Sequence, residues 1–221
     1  MKVIVLGATG MIGQGVLREC LRDADVERVL AIGRAPTGLQ HAKLQELVQA
    51  DLFDLGPVEA QLAGWDACFF CLGVSSAGMK PADYERITYD LTLSVASTLA
   101  RLDPAMTFVY VSGAGTDGSE RGRSRWARVK GKTENALMRL PFKAAYMFRP
   151  GFVQPRHGIV SKTRLYRALY GAVGWLYPLW KLLFPGFVTT TDQVGRAMLR
   201  VARSGWTAAI LENRDINAAA A

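Results

Sequence analysis

The sequence predicts an α/β fold: a doubly wound, mostly parallel sheet with helices on both faces and a small apolar helical lid toward the C-terminus. Three observations carry it. Short runs rich in Val, Ile, Leu and Phe recur from residue 2 to about 153, and runs of that kind read as strands buried on both faces. Stretches of helical periodicity separate them, which is the pattern of a parallel sheet with crossover helices. The first run is followed at once by GATGMIG, which puts Gly7, Gly10 and Gly13 between a strand and a helix. A chain of 221 residues suits one such domain, 1–221, with 155–190 as an elaboration of it.

The elements follow in order. KVIVL (2–6) is the first strand, and Val16, Leu17, Cys20 and Leu21 mark the apolar face of the first helix. In the turn between them one glycine permits a sharp reversal, another lets backbone approach a pyrophosphate, and the third lets helix and strand pack closely. The helix N-terminus then offers free N–H groups to the phosphates. Gly7, Thr9, Gly10, Met11, Ile12 and Gly13 are therefore candidate cofactor-binding residues. ERVLAIGR (27–34) is the second strand. It ends in Gly33-Arg34, where a site preferring NAD carries an acid for the ribose 2′-OH, so NADP(H) is expected over NAD(H), with Arg34 on the 2′-phosphate.

LQELVQADLFDL (44–55) gives a third strand ending at Asp51 and Leu52, placed to meet the adenine amino group and ring. DACFFCLGVSSAG (66–78) is the fourth strand and its loop, in which Leu72 and Gly73 pass under the cofactor. The Cys68–Cys71 spacing puts the two thiols on opposite faces of that strand, against a metal or redox pair. Residues 81–102 form a long helix, 106–115 the fifth strand, and 143–151 the sixth, which ends at Pro150. In such sheets ligands sit at the carboxyl ends of the strands, where all these candidates fall.

Composition narrows the function classes. Lys and Arg number 27 against 19 Asp and Glu, a net charge of +8, and seven of the cations lie between Arg121 and Arg139. This reads as a solvated helix face beside an anionic cofactor, with no nucleic acid expected. His41 and His157, the two imidazoles, have no ligand-like neighbours in sequence, so no metal is expected. Three cysteines and no visible signal peptide predict a protein of the reducing cytoplasm. The apolar segment 163–187 reads first as a lid over a partly nonpolar small-molecule substrate, then as a weak membrane-surface contact, then as a dimer face. Residues 189–205 form a last helix with Thr191 or Asp192 as N-cap, and the closing alanines read as a frayed tail.

GATGMIG, Arg34, Asp51, CLG, VSGAG, Lys130 and FRPG together resemble the extended and atypical short-chain dehydrogenase/reductases, the NAD(P)-dependent epimerase/dehydratase-like group with a Rossmann-like fold. ARVKGKTENAL and FRPG are similar to its Tat-interacting-protein-type oxidoreductase branch. The resemblance implies that Lys130 holds the nicotinamide ribose, that Ser112 meets the substrate oxygen, and that Pro150 borders the nicotinamide. It implies an NADP-dependent oxidoreductase or epimerase-like enzyme on a small carbonyl or hydroxyl substrate. One departure opens another reading. The group's Tyr, four residues before the Lys, is Trp126 here, and an indole N–H can neither give nor take a proton. A regulatory or membrane-peripheral NADPH-binding protein is the alternative.

Overall fold

The computed structural model describes residues 1–159 and 186–221. Seven parallel strands form one sheet in the order β3-β2-β1-β4-β5-β6-β9. They are β1 (Lys2–Leu6), β2 (Arg28–Gly33), β3 (Leu44–Val48), β4 (Ala67–Phe70), β5 (Thr107–Val111), β6 (Ala144–Arg149) and β9 (Ile210–Glu212). A separate ribbon pairs β7 (Phe152–Gln154) with β8 (Val188–Thr190), also in parallel. The order reverses beside β1, and the crevice at such a reversal is where ligands enter open α/β sheets.

Alternation along the strands builds two cores. Val3 and Val5 of β1 face one side, packed with Val16, Leu17 and Cys20 of α1 (Met11–Arg22) and with Val194, Met198 and Val201 of α5 (Thr191–Ser204). Ile4 and Leu6 face the other, against Leu91, Val95 and Leu99 of α3 (Leu91–Leu102) and Leu137 of α4 (Arg125–Leu137). The two thiols of the fourth strand obey the same rule. Cys68 lies in the second core and Cys71 packs against the first, and burial pushes the Cys71 thiol up to about 12.

The helix expected over 81–102 is continuous but not uniform. It runs as α2 (Pro81–Glu85), a π-helical turn at Arg86–Asp90, and α3. Three expectations need correction. The third strand stops at Val48, and Asp51 falls in a turn whose carboxylate accepts the Phe53 amide at 2.9 Å, a local bond that competes with strand pairing. The N-cap of α5 is Thr190, whose hydroxyl accepts the Gln193 amide at 3.2 Å. The end of the chain is not frayed: β9 pairs with β6, α6 (Asn213–Ala219) buries Ile216 and Ala219 in the first core, and Ala220 just after it joins them. The lid, membrane-contact and dimer-face readings of 163–187 fall almost wholly outside the described residues.

Candidate functional site

The site is assembled at the carboxyl ends of β1, β2, β4, β5 and β6. Gly7 closes the first turn at φ +78°, a left-handed conformation that favours glycine, and a side chain there would meet the Leu72 amide at 2.6 Å. A Cβ on Gly13 would lie 2.1 Å from the Gly7 carbonyl oxygen. Turn, helix and the Leu72 backbone can therefore approach only as glycines allow. The N-cap of α1 is Gly10, which has no side chain to satisfy the first-turn amides, and no acid stands in that turn. An uncapped, acid-free helix start beside a glycine turn fits a pyrophosphate. Gly73 has no atom within 4 Å of a built Cβ, so the backbone there lies open to a ligand.

At the end of β2, Arg34 is exposed and makes no ion pair with any described residue. Neighbouring β3 returns the chain to the same edge, where the Gln49 amide donates to Gly33 at 3.0 Å. Asp51 follows, exposed, while Leu52 is buried in the second core.

The loops after β5 and β6 are tied together by a bond from the Ala114 amide to the Pro150 carbonyl at 2.9 Å. Ser112 is buried, and its hydroxyl lies 2.5 Å from Glu134 Oε1 and 3.1 Å from the Phe148 carbonyl. Glu134 of α4 is fully buried. It accepts from Arg149 Nη2 at 2.5 Å and Nε at 3.0 Å, and Arg149 reaches on to Glu212 at 3.1 Å. Lys130, one helical turn before Glu134, donates to the Val111 carbonyl at 3.3 Å and lies 5.5 Å from the Tyr110 ring centroid. Burial holds the Lys130 ammonium down to about 8, and the Glu134 charge opposes that shift. Lys130 is thus anchored on the last residues of β5.

Trp126 stands at the first turn of α4, where its ring lies 3.5 Å from a Cβ built on Gly115. It shares a cavity of about 150 Å³ with Tyr84 and Met79. Among the described residues, three further tyrosines lie elsewhere. Tyr110 is buried in the second core, Tyr146 accepts the Trp206 amide at 3.0 Å, and Tyr89 lies under Lys132 at 4.1 Å.

The Glu134–Arg149–Glu212 network was missed in sequence. One signal was present: an acid four residues after Lys130, on the same face of a strongly basic helix. A second miss concerns His157, whose Nε2 lies 3.1 Å from Asp192 Oδ2, a partner 35 residues away.

The NAD dependent epimerase/dehydratase family model matches residues 3–133. A protein of Aspergillus terreus named fmp52-2, mitochondrial, is 26% identical over 94% of this chain and 86% of its own length. HTATIP2 of Rattus norvegicus is 28% identical over 67% of this chain and 61% of its own. An oxidoreductase of the short-chain dehydrogenase/reductase family from Burkholderia thailandensis superposes with a TM-score of 0.69 at 19% identity, covering 99% of this chain and 92% of that one. The Bordetella bronchiseptica enzyme WbmF, solved with NAD+, gives 0.68 at 14% identity over 98% of this chain and 76% of its own. These last two likenesses concern the fold.

The relatives overturn the cytoplasmic expectation, because the fungal ones are named as mitochondrial proteins. Free thiols argue only for a compartment that is not oxidising. The matched span runs from β1 through the glycine turn to Lys130 and Thr133, and the chain belongs to the NAD dependent epimerase/dehydratase family.

Proposed function

We propose that this chain binds NADP(H) and acts as an oxidoreductase on a small carbonyl or hydroxyl substrate. The observation that carries the cofactor half is Arg34, a guanidinium without an ion pair among the described residues, at the strand end where a carboxylate would instead select a ribose 2′-OH. Gly7, Thr9, Gly10, Met11, Ile12 and Gly13 would hold the pyrophosphate on the α1 N-terminus. Asp51 and Leu52 would meet the adenine, and Leu72, Gly73 and Pro150 would line the path to the nicotinamide. Lys130 would donate to the nicotinamide ribose.

The bound cofactor supplies hydride chemistry. The chain's own residues bind, orient and exclude water. Arg149 neutralises Glu134, which in turn fixes the Ser112 hydroxyl and faces Lys130 along α4. A regulatory NADPH-binding protein is the second reading, and Trp126 at the acid position favours it.

Fluorescence titration with NADPH and NADH tests the assignment. Arg34→Asp is expected to weaken NADPH binding by tenfold or more, about 1.4 kcal/mol, and NADH far less. Equal loss for both would remove Arg34 from the 2′-phosphate. NADPH consumption with a panel of carbonyl compounds, abolished by Lys130→Ala, separates an enzyme from a sensor; silence across the panel favours the sensor.

A further inference from the structure

The cavity of about 150 Å³ at the start of α4 is lined by Ser76, Met79, Pro81, Tyr84, Arg125 and Trp126. Two of its walls are continuous with the dinucleotide path. Ser76 and Met79 belong to the loop after β4, whose Leu72 amide would lie 2.6 Å from a Cβ on Gly7. The Trp126 ring would lie 3.5 Å from a Cβ on Gly115, in the loop after β5 that the Ala114 amide ties to Pro150. The cavity therefore adjoins the crevice proposed for the nicotinamide. Arg125 is the charged residue of its lining, and no acid stands there to neutralise it. Arg125 is exposed and makes no ion pair with any described residue. The acids nearest to it in sequence are committed to other partners. Asp117 accepts the Gly122 amide at 2.6 Å, Glu120 accepts Asn135 Nδ2 at 2.8 Å, and Glu134 is held by Arg149. Two neighbouring cations are likewise used, Arg128 on the Gly122 carbonyl at 2.6 Å and Lys132 on Glu85 at 2.7 Å. The first turn of α4 carries no acid, so Arg125 stands against the positive end of the helix dipole, a place that an arriving anion improves.

We propose that this cavity is a substrate subsite for an aryl carbonyl compound that carries a carboxylate, with Arg125 holding the carboxylate and Trp126 the ring. The assignment rests on the oxidoreductase reading above and names the substrate class of that same site. Charge, size and wall chemistry agree. A guanidinium presents paired N–H groups that match the two oxygens of a carboxylate, and the bonds are strengthened by both charges. An ester of the same acid lacks that charge. A cavity on the order of 150 Å³ accommodates a benzene-sized group. Met79, Pro81 and Trp126 supply apolar wall for it. Trp126 then has a constructive role, because an indole offers an aromatic ring a broader flat face than a phenol does.

The test uses the full chain as wild type, Arg125→Gln and Arg125→Lys. NADPH oxidation is followed with para-formylbenzoate, meta-formylbenzoate and phenylglyoxylate, each beside its methyl ester, and NADPH itself is titrated by fluorescence. Wild type is expected to favour the acids over their esters by about tenfold or more in kcat/KM. Arg125→Gln brings that ratio to about parity, and Arg125→Lys keeps part of it, because charge remains without the paired geometry. The ratio compares two substrates on one protein, so a loss of folded material does not move it. A wild-type ratio near one overturns the assignment, and so does a preference that survives Arg125→Gln. If NADPH binds and nothing in the panel is reduced, fluorine NMR of para-fluorobenzoate and para-fluorobenzamide with NADP+ present decides. Benzoate binding that exceeds amide binding and is lost in Arg125→Gln upholds the subsite. Equal benzoate Kd values in wild type and variant overturn it, while the cofactor reading stands. Failure of the wild type to bind NADPH sinks the oxidoreductase reading, and the same NMR comparison without dinucleotide then judges the subsite by itself.

Discussion

At the scale of single residues, the decisive group is Glu134. It is fully buried, it accepts two bonds from Arg149, and it holds the Ser112 hydroxyl. A buried pair is costly to break because the survivor keeps its charge without a partner. Glu134→Leu is therefore expected to lose about 3–5 kcal/mol of stability, read as a lower midpoint in urea unfolding. Lys130 makes the opposite trade. Its pKa falls from 10.5 to about 8, so between those values the unfolded chain binds the proton more tightly than the folded one, and stability owed to this site rises with pH across that window. Below about 8 both states are protonated and the fold bears the cost of holding the part-buried ammonium. Lys130→Met is expected to raise Tm at pH 7, with the gain shrinking as pH climbs toward 10.5, while NADPH affinity falls. A scanning-calorimetry series over pH, paired with NADPH titration, checks both halves. The place of Lys130 on the basic helix α4 was readable in sequence. Its depressed pKa was not, because burial depends on what folds over it.

At the scale of elements, the parts with local signatures were the readable ones. The long helix over 81–102, the glycine turn and the first, second and sixth strands sit within a residue or two of their sequence-derived bounds. What failed was context. The third strand's apolar signal ran on to Leu52, but Asp51 takes a backbone amide for itself and ends the ladder early. Three-residue strands such as β9 carry no period to read, and an alanine-rich terminus gives no amphipathic contrast to reveal α6. That missed pair matters for the site. Glu212 joins Arg149, and Asn213 Oδ1 accepts the Gly151 amide at 2.9 Å, so the C-terminus braces the loop after β6. Removing residues 210–221 should leave the chain poorly folded, seen as rapid proteolysis and lost NADPH binding. The α1–α5 contact is a second case. A Cβ on Gly15 would come 2.5 Å from Thr191 Cβ and 2.9 Å from its carbonyl oxygen. Gly15→Val is expected to cost about 1–3 kcal/mol through overpacking, measurable as a lower Tm with an unchanged far-UV spectrum at low temperature.

For the molecule as a whole, charge and topology act together. The strand-order reversal beside β1 opens the crevice, and the chain as a whole carries an excess of cations that suits a polyanionic ligand. Association with NADPH should slow as salt is added, since exposed cations are screened over a distance of about 10 Å at 0.1 M; stopped-flow traces independent of ionic strength would assign the affinity to close contacts alone. Folding topology was legible because alternating strands and helices admit few arrangements. Compartment was not, because a reducing environment leaves the same mark on cysteine usage wherever it occurs.

The π turn at Arg86–Asp90 sets a phase. Such a turn is an α-helix with one residue too many, and each residue of an α-helix subtends about 100°. The stretch before it is therefore rotated relative to the stretch after it. Leu91, Val95 and Leu99 can seat on the sheet while Tyr84 lines the cavity beside Trp126. Deleting one residue from 86–90 would let the whole span relax to a regular helix, keeping every contact of α3 and swinging the phenol about 100° away. The spare residue works as an angular offset, an aiming device written into the length of the chain.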